Sequence, residues 1–154
     1  MATTIVPSNL TVTISESYTL NGVDYGNTMN KTYIDNGQVS QRIMTIAAEG
    51  DGGTWTDILA LSTADGQGQV VKTEYKYFRI TNLDDTNTLN FRVYNGQDYV
   101  AFEITPSSSL LLMDAGIDSP VGTGAITFAD IQAIAGQSSH ATESLDIEFV
   151  MVTS

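Results

Sequence analysis

The sequence predicts an all-β protein, an antiparallel β-sandwich or a barrel. Roughly eight short segments alternate apolar and polar residues, which is the period of a half-buried strand. Turn signals rich in Gly, Asn, Asp and Ser separate these segments at regular spacing, as in sandwiches and barrels. The clearest region is residues 76–113, KYFRITNLDDTNTLNFRVYNGQDYVAFEITPSSSLLLM, which reads as alternating strands joined by short turns.

Four segments of the first half carry the strand signal: residues 9–20, 38–47, 55–62 and 70–83. In the first of them Leu10, Val12 and Ile14 share one face and alternate with Thr and Ser. An Asn-Gly pair follows at 21–22, and such a pair between apolar residues predicts a two-residue hairpin turn. Residues 25–34 are polar, so we expect an exposed loop with an edge strand there.

The second half continues with predicted strands over residues 89–94, 99–104, 110–113 and 144–153. Asn95 and Gly96 predict a hairpin between the first two of these strands. Pro106 ends the second strand, because proline has no N–H group to give to a sheet. In the last strand alternate residues are expected to face the core: Leu145, Ile147, Phe149 and Met151.

One short helix is expected near residues 127–135. Thr127 suits an N-cap, Asp130 lies near the positive end of the helix dipole, and Gly136 stands at the C′ position. Four apolar residues of this segment are spaced to form one stripe: Phe128, Ile131, Ile134 and Ala135. So short a helix must pack on the sheet to persist.

The chain has 154 residues and is expected to form a single β domain, 1–154, with a flexible N-terminal arm over residues 1–8. It contains no Cys, which excludes disulfides and thiolate metal sites. The opening MATTIVPSNL lacks the basic and apolar regions of a signal peptide. No run of residues approaches the length of a membrane span.

Charge limits the classes of partner. The 6 Lys and Arg residues against 18 Asp and Glu residues give a net charge of −12. Binding to phosphate backbones or anionic lipids depends on clustered Lys and Arg. We therefore expect no nucleic-acid partner and no membrane partner. The excess acid favours solubility, and the alternative is an acidic face that steers a basic partner.

His140 is the only histidine, and it lies in a polar stretch at residues 137–141. A Ser-His-Asp site needs an imidazole held by a carboxylate beside an activated serine. The sequence contains no G-x-S-x-G, H-E-x-x-H, P-loop or G-x-G-x-x-G motif. We therefore expect an exposed loop histidine, no catalytic residue, no cofactor and no enzyme activity.

Two groups of residues offer oxygen ligands of the kind that suits Ca²⁺: Asp84 and Asp85 with Asn82 and Asn87, and Asp114 with Asp118. Neither group has the spacing of an EF-hand. Asp and Asn are also the residues that tight turns select. We expect turns rather than metal sites at both places.

Four tyrosines fall on neighbouring predicted strands: Tyr75, Tyr77, Tyr94 and Tyr99. Aromatic rows can form stacking platforms for sugars or bases, but more often they pack across strands or line an interface. We expect packing or an interface, with a platform that includes Trp55 as the alternative. The apolar run 110–113 does not alternate, so a second sheet or a neighbouring subunit should cover both of its faces.

Three parts of the chain resemble small virion structural proteins of tailed bacteriophages: YFRITNLD at 77–84, FEITPSSSL at 102–110, and NLTVTISES with LNG at 9–17 and 20–22. Proteins of that group often carry a RITNLD strand and turn, then a short hairpin, then an F-x-L-x-P-G-x-S-x-L segment. Ser107 stands where the family pattern usually has Gly.

The resemblance implies a jelly-roll-like β-sandwich that assembles on a phage particle. A capsid cement (decoration) protein is the main expectation: a homo-oligomer, trimer or dimer, that binds the shell of major capsid protein and stabilises it. The protein would then reside in the virion, assembled in the cytoplasm of the host bacterium. The alternatives are a tail, fibre or head–tail accessory protein, or a carbohydrate-binding module.

Overall fold

The computed structural model describes residues 8–50, 54–62, 70–71, 75–94, 99–113 and 131–153. These residues form thirteen β-strands and no helix, so the all-β prediction is confirmed. In chain order the strands are β1 (Ser8–Glu16), β2 (Thr19–Leu20), β3 (Val23–Asp24), β4 (Asn27–Asn36), β5 (Gln38–Ile46), β6 (Thr56–Ser62), β7 (Val70–Val71), β8 (Tyr75–Asn82), β9 (Leu89–Tyr94), β10 (Tyr99–Ile104), β11 (Ser109–Met113), β12 (Ala133–Ser138) and β13 (Leu145–Thr153).

The described chain divides into two compact units, residues 8–38 and residues 39–153. The first unit is a hairpin in which β1 pairs antiparallel with β4, extended by the short pair β2 and β3. The polar segment 25–34 thus lies mostly in a ten-residue strand, β4. Of the N-terminal arm predicted over residues 1–8, all but Ser8 lies outside the described residues.

The second unit contains two sheets, in the orders β10-β9-β12-β6-β7 and β11-β8-β13-β5. Apart from the two-residue β7, which pairs parallel to β6, the strands form eight elements in chain order. When β5, β6 and β8 to β13 are numbered one to eight, the two sheets have the strand orders 5-4-7-2 and 6-3-8-1. That is the strand order of a jelly roll. The β-sandwich prediction is confirmed, and the topology is that of its jelly-roll form.

Large apolar side chains between the two sheets form the core. Phe78 on β8 stacks on Phe91 of the facing sheet at 6.0 Å between ring centroids, and on Phe149 of β13 at 6.2 Å. All three rings are fully buried. The four residues predicted to face inward from the last strand are each at most 2% exposed, which confirms that prediction: Leu145, Ile147, Phe149 and Met151.

The helix predicted near 127–135 is wrong where the structure describes it. Ala133 and Ala135 lie in β12, and Ile131 lies just before that strand. β12 is central in its sheet, paired with β6 on one side and β9 on the other. Both of its faces are covered, so it shows no alternation that would mark it as a strand. Residues 127–130 lie outside the described residues.

Gly136, expected at a helix C-cap, has a packing role instead. A Cβ at this position would lie 3.0 Å from Leu89 Cδ1 and 3.2 Å from Ile58 Cδ1, both in its own sheet. It would also lie 3.4 Å from Ile46 Cδ1 of the facing sheet. The missing side chain therefore gives room to three core residues.

The predicted strand over 70–83 is two strands. Val70 and Val71 form β7 at the edge of one sheet, whereas Tyr75 begins β8 in the other sheet. Residues that share one alternating pattern in the sequence thus belong to both sheets of the sandwich. Periodicity records which side chains are buried, not which sheet buries them.

Candidate functional site

Exposed apolar side chains are concentrated in the first unit. Six of the ten large hydrophobic residues found exposed lie between residues 18 and 34. Four of these form what we call the hairpin tip, each between 49% and 57% exposed: Tyr18, Leu20, Val23 and Tyr25. An apolar patch that remains in water is typical of a surface that binds another molecule.

The turn chemistry of the sequence builds this tip. Asn21 and Gly22 have φ angles of 52° and 81°, as the two-residue hairpin turn requires. Leu20 is therefore directly opposite Val23. The rings of Tyr18 and Tyr25 stack at 5.4 Å with 15° between their planes. The backbone N–H of Tyr25 donates to the Tyr18 carbonyl at 2.9 Å.

The tip continues into a ribbon with two unlike faces. On one face, hydroxyl and amide side chains hydrogen-bond across β1 and β4: Thr11 with Thr32 at 3.3 Å, Thr13 with Asn30 at 2.8 Å, and Ser15 with Thr28 at 3.1 Å. On the other face, Leu10 is opposite Tyr33, and Ile14 is opposite Met29. The polar face satisfies its own hydrogen bonds. The other face also pairs Val12 with Lys31, and it ends before the tip at the polar pair of Glu16 and Asn27.

The sequence predicts the turn at 21–22, but the apolar tip was not expected. Its signal was present as Y-T-L-N-G-V-D-Y, residues 18–25, which is symmetric about the Asn-Gly pair. A two-residue turn fixes the register, so that symmetry implies two apolar cross-strand pairs.

A second feature, the tryptophan groove, lies on the outer face of the β10-β9-β12-β6 sheet. Its volume is about 510 Å³, and its lining residues are Trp55, Asn90, Tyr99, Ala101, Phe102 and Glu103. The Arg92 guanidinium lies 4.3 Å from the centre of the Trp55 ring and 5.9 Å from that of Tyr94. Arg92 has alanines as neighbours on both sides, Ala101 on β10 and Ala135 on β12. Small neighbours leave space for the guanidinium to stack on the indole.

The four tyrosines do not form one row. Tyr94 and Tyr99 are cross-strand partners in one sheet, whereas Tyr77 lies on β8 in the other sheet and is 6% exposed. Burial raises the pKa of the Tyr77 hydroxyl above its usual value. The side chain of Tyr75 lies outside the described residues. Of the other three tyrosines, only Tyr99 lines the groove together with Trp55.

The acidic turn at Asp84 is a closed hydrogen-bond network. Buried Asn82 donates through Nδ2 to the carbonyls of Asn87 and Ile104, at 2.9 and 3.0 Å, and accepts the Asp84 N–H at 3.1 Å. One Asp84 oxygen accepts the N–H groups of Asn87 and Thr86, at 2.6 and 2.8 Å. These bonds, first that from Asn87, hold the pKa of Asp84 below its usual range.

These hydrogen bonds are those of a tight turn, as the Asp and Asn residues predicted there. Among the described residues, no three His, Asp or Glu side chains are grouped to hold a metal ion. Asp114 and Asp118, the second predicted oxygen cluster, lie outside those residues.

His140 lies in the loop between β12 and β13, and its side chain is 44% exposed. Its Nδ1 accepts the backbone N–H groups of Thr142 and Glu143, at 3.3 and 3.1 Å. The backbone N–H of His140 donates to Ser138 Oγ at 3.2 Å. The imidazole thus satisfies donors of its own loop, in the manner of a capping side chain.

No helix in the described part of the chain is long and apolar enough to cross a bilayer. No protein-family model, curated protein or solved structure matches the sequence or its fold.

Proposed function

We propose that this chain is a structural protein of a tailed-bacteriophage virion, and that it acts as a capsid cement protein. The observation that carries the proposal is the hairpin tip, whose four apolar side chains are about half exposed. The resemblance of residues 77–84 and 102–110 to such virion proteins directs the proposal to phage particles. Jelly rolls are common in viral capsid domains, although a fold alone does not specify a function.

The small free energy expected from burying one tip favours a multivalent partner. Burying the exposed halves of the four side chains releases roughly 3–6 kcal/mol, at about 1.5–3 kcal/mol for each fully buried side chain. Association costs about 4–15 kcal/mol in lost freedom of motion. One tip alone therefore binds weakly. On a shell, repeated copies or a trimeric or dimeric protein make such contacts additive.

The residues that carry the resemblance have structural roles in this fold. Asn82 ties β8 to the following turn and to the end of β10. Ser107, where the family pattern has Gly, has a φ of 56°, a conformation that Gly adopts without strain. The shared pattern thus describes a turn and a loop that a family would need to keep for its fold.

The partner that we propose is the major capsid protein of the shell, with a tail, fibre or head–tail component as the alternative. Both alternatives imply that the protein is part of the virion, which assembles inside the bacterial host. Neither requires an active site, a cofactor, nucleic acid or a membrane. The net charge of −12 opposes non-specific association between copies.

The test uses expanded shells of the phage that encodes this protein. Wild-type protein should co-sediment with the shells and raise the temperature at which they disrupt. The double variant Leu20→Ser/Val23→Ser should lose both effects, because it removes the apolar pair from the tip. Circular dichroism and unfolding midpoints show whether the variant remains folded.

The matched control is Thr11→Ser/Thr13→Ser, on the polar face of the same hairpin, which should bind as wild type does. Mass spectrometry and cryo-electron microscopy of purified virions then locate the protein. Density on the tail would favour the alternative role, and absence from virions would refute the proposal.

A further inference from the structure

The tryptophan groove has the composition of a sugar site. Arg92 covers one face of the Trp55 ring, which leaves the remaining surface of the indole to line the groove. Gln137, which is 6% exposed, donates a long hydrogen bond of 3.5 Å to the carbonyl of Thr54, the residue before Trp55 in the chain. Arg92 thus contacts the indole, and the Gln137 bond restrains the backbone before it, in advance of any ligand, which reduces the entropic cost of binding.

Polar groups stand beside the aromatic ones. Asn90 and Glu103 are cross-strand partners on β9 and β10, and both line the groove. Together they offer an amide donor and carbonyl and carboxylate acceptors. Tyr99 is 58% exposed and adds a second ring with a hydroxyl group. The volume of about 510 Å³ falls in the range of about 300–1,000 Å³ that is usual for small-molecule sites.

We propose that the tryptophan groove binds a neutral pyranose unit of a polysaccharide. The C–H face of such a ring stacks on Trp55, while its hydroxyl groups hydrogen-bond to Asn90 and Glu103. Tyr99 contacts the adjoining sugar unit. This inference is independent of the assembly proposal, since the groove and the hairpin tip share no residue.

Charge selects a neutral sugar over an acidic one. Glu103 lines the groove, and the whole chain carries −12, so uronates, sulfates and phosphates are repelled. Arg92, the nearby cation, is stacked between Trp55 and Tyr94 and is not among the lining residues. Nucleotides, which would also stack on the indole, are disfavoured by the same repulsion.

Intrinsic fluorescence tests the proposal directly, because Trp55 is the only tryptophan of the chain. Full-length protein is titrated with maltotriose, cellotriose and mannotriose, and is applied to an array of neutral polysaccharides and polyuronates. We expect a saturable change of Trp55 emission with at least one trisaccharide, together with array binding to neutral polymers that contain the same unit.

Variants assign the binding to the groove. Tyr99→Ala and Glu103→Ala change exposed side chains and should each raise the Kd about tenfold, equivalent to ~1.4 kcal/mol. Trp55→Ala should abolish array binding. The matched control is Tyr25→Ala, an exposed tyrosine of the hairpin tip, which should bind sugar as wild type does.

Three outcomes would overturn the proposal. One is the absence of both a saturable emission change and array binding. Another is binding that Tyr99→Ala and Glu103→Ala leave unchanged. The third is a preference for polyuronates over neutral polymers, which would contradict the charge argument.

Discussion

Asp84 shows how a single side chain holds a turn. Its carboxylate accepts the N–H groups of Asn87 and Thr86, and it bonds best when ionised. The pKa of Asp84 is therefore lower in the folded chain than in the unfolded chain. The stabilisation is fully present above the unfolded value of about 4 and is lost as the pH falls through the folded value.

Asp84→Asn should accordingly flatten the acid limb of the stability curve. The wild type should lose stability more steeply than the variant between about pH 4 and pH 2, and the difference between them should be constant above about pH 5. Urea midpoints across this range measure the effect. The control is Asp85→Asn, whose carboxylate accepts the Thr86 hydroxyl instead of backbone N–H groups. Parallel curves for wild type and Asp84→Asn would contradict the prediction.

Ser107 carries backbone strain that a glycine would relieve. Its φ of 56° costs an L-residue about 1–2 kcal/mol of stability. A glycine avoids this strain but costs about 0.5–1 kcal/mol, because it gives the unfolded chain more conformational freedom. Ser107→Gly should therefore stabilise the protein by about 0.5–1 kcal/mol, measured by chemical denaturation. Ser108→Gly in the same loop should destabilise it, because Ser108 Oγ bonds Thr105 and Pro106. A destabilised Ser107→Gly would show that φ does not limit this loop.

Among the strands, β12 differs most from its sequence pattern. Its residues Ile134 and Ala135 continue an apolar spacing from Ile131 that is typical of a short helix, but the strand pairs with two strands at once. A central strand gains hydrogen bonds along both edges and burial on both faces. A nine-residue helix gains much less by itself. Tertiary pairing thus overrides local propensity in this segment.

Gly136→Val tests the packing role of the β12 glycine. Branched carbons would enter the space now filled by the Cδ1 atoms of Leu89, Ile58 and Ile46, so we expect destabilisation of about 1–3 kcal/mol. Ala133→Val, three residues earlier at a half-buried position, is the matched control and should change stability little. Thermal and urea unfolding measure both. A Gly136→Val variant as stable as wild type would mean that the sheets can separate locally.

For the whole molecule, acids outnumber cations, and the three arginines each contact another side chain of the fold. Arg79 forms an ion pair with Glu148 at 2.7 Å, and Arg42 lies 4.7 Å from the ring centre of Phe149. Hydrogen bonds from Gln41, and next from Arg79, hold the pKa of Glu148 below its usual range. The negative field of the chain is therefore little reduced at its surface, which favours partners that are neutral or basic.

The core cluster lies entirely within the second unit, between Ile46 and Met151. A chain that lacks residues 1–37 should therefore keep one cooperative thermal transition and the wild-type emission of Trp55. It should also lose shell binding, which we assign to the hairpin tip, and keep sugar binding. Calorimetry and the two binding assays measure these effects. Loss of cooperative unfolding would show that the jelly roll depends on the hairpin.

The sequence by itself determined the local features: most of the strands, the turn at Asn21 and Gly22, and the inward face of β13. Alternation and turn chemistry depend on residues a few positions apart, so they can be read without a fold. Only the tertiary structure decided that β12 is a strand, that Val70 and Tyr75 belong to different sheets, and that Trp55 stacks on Arg92. Each of these depends on partners far away in the chain, which no local pattern specifies.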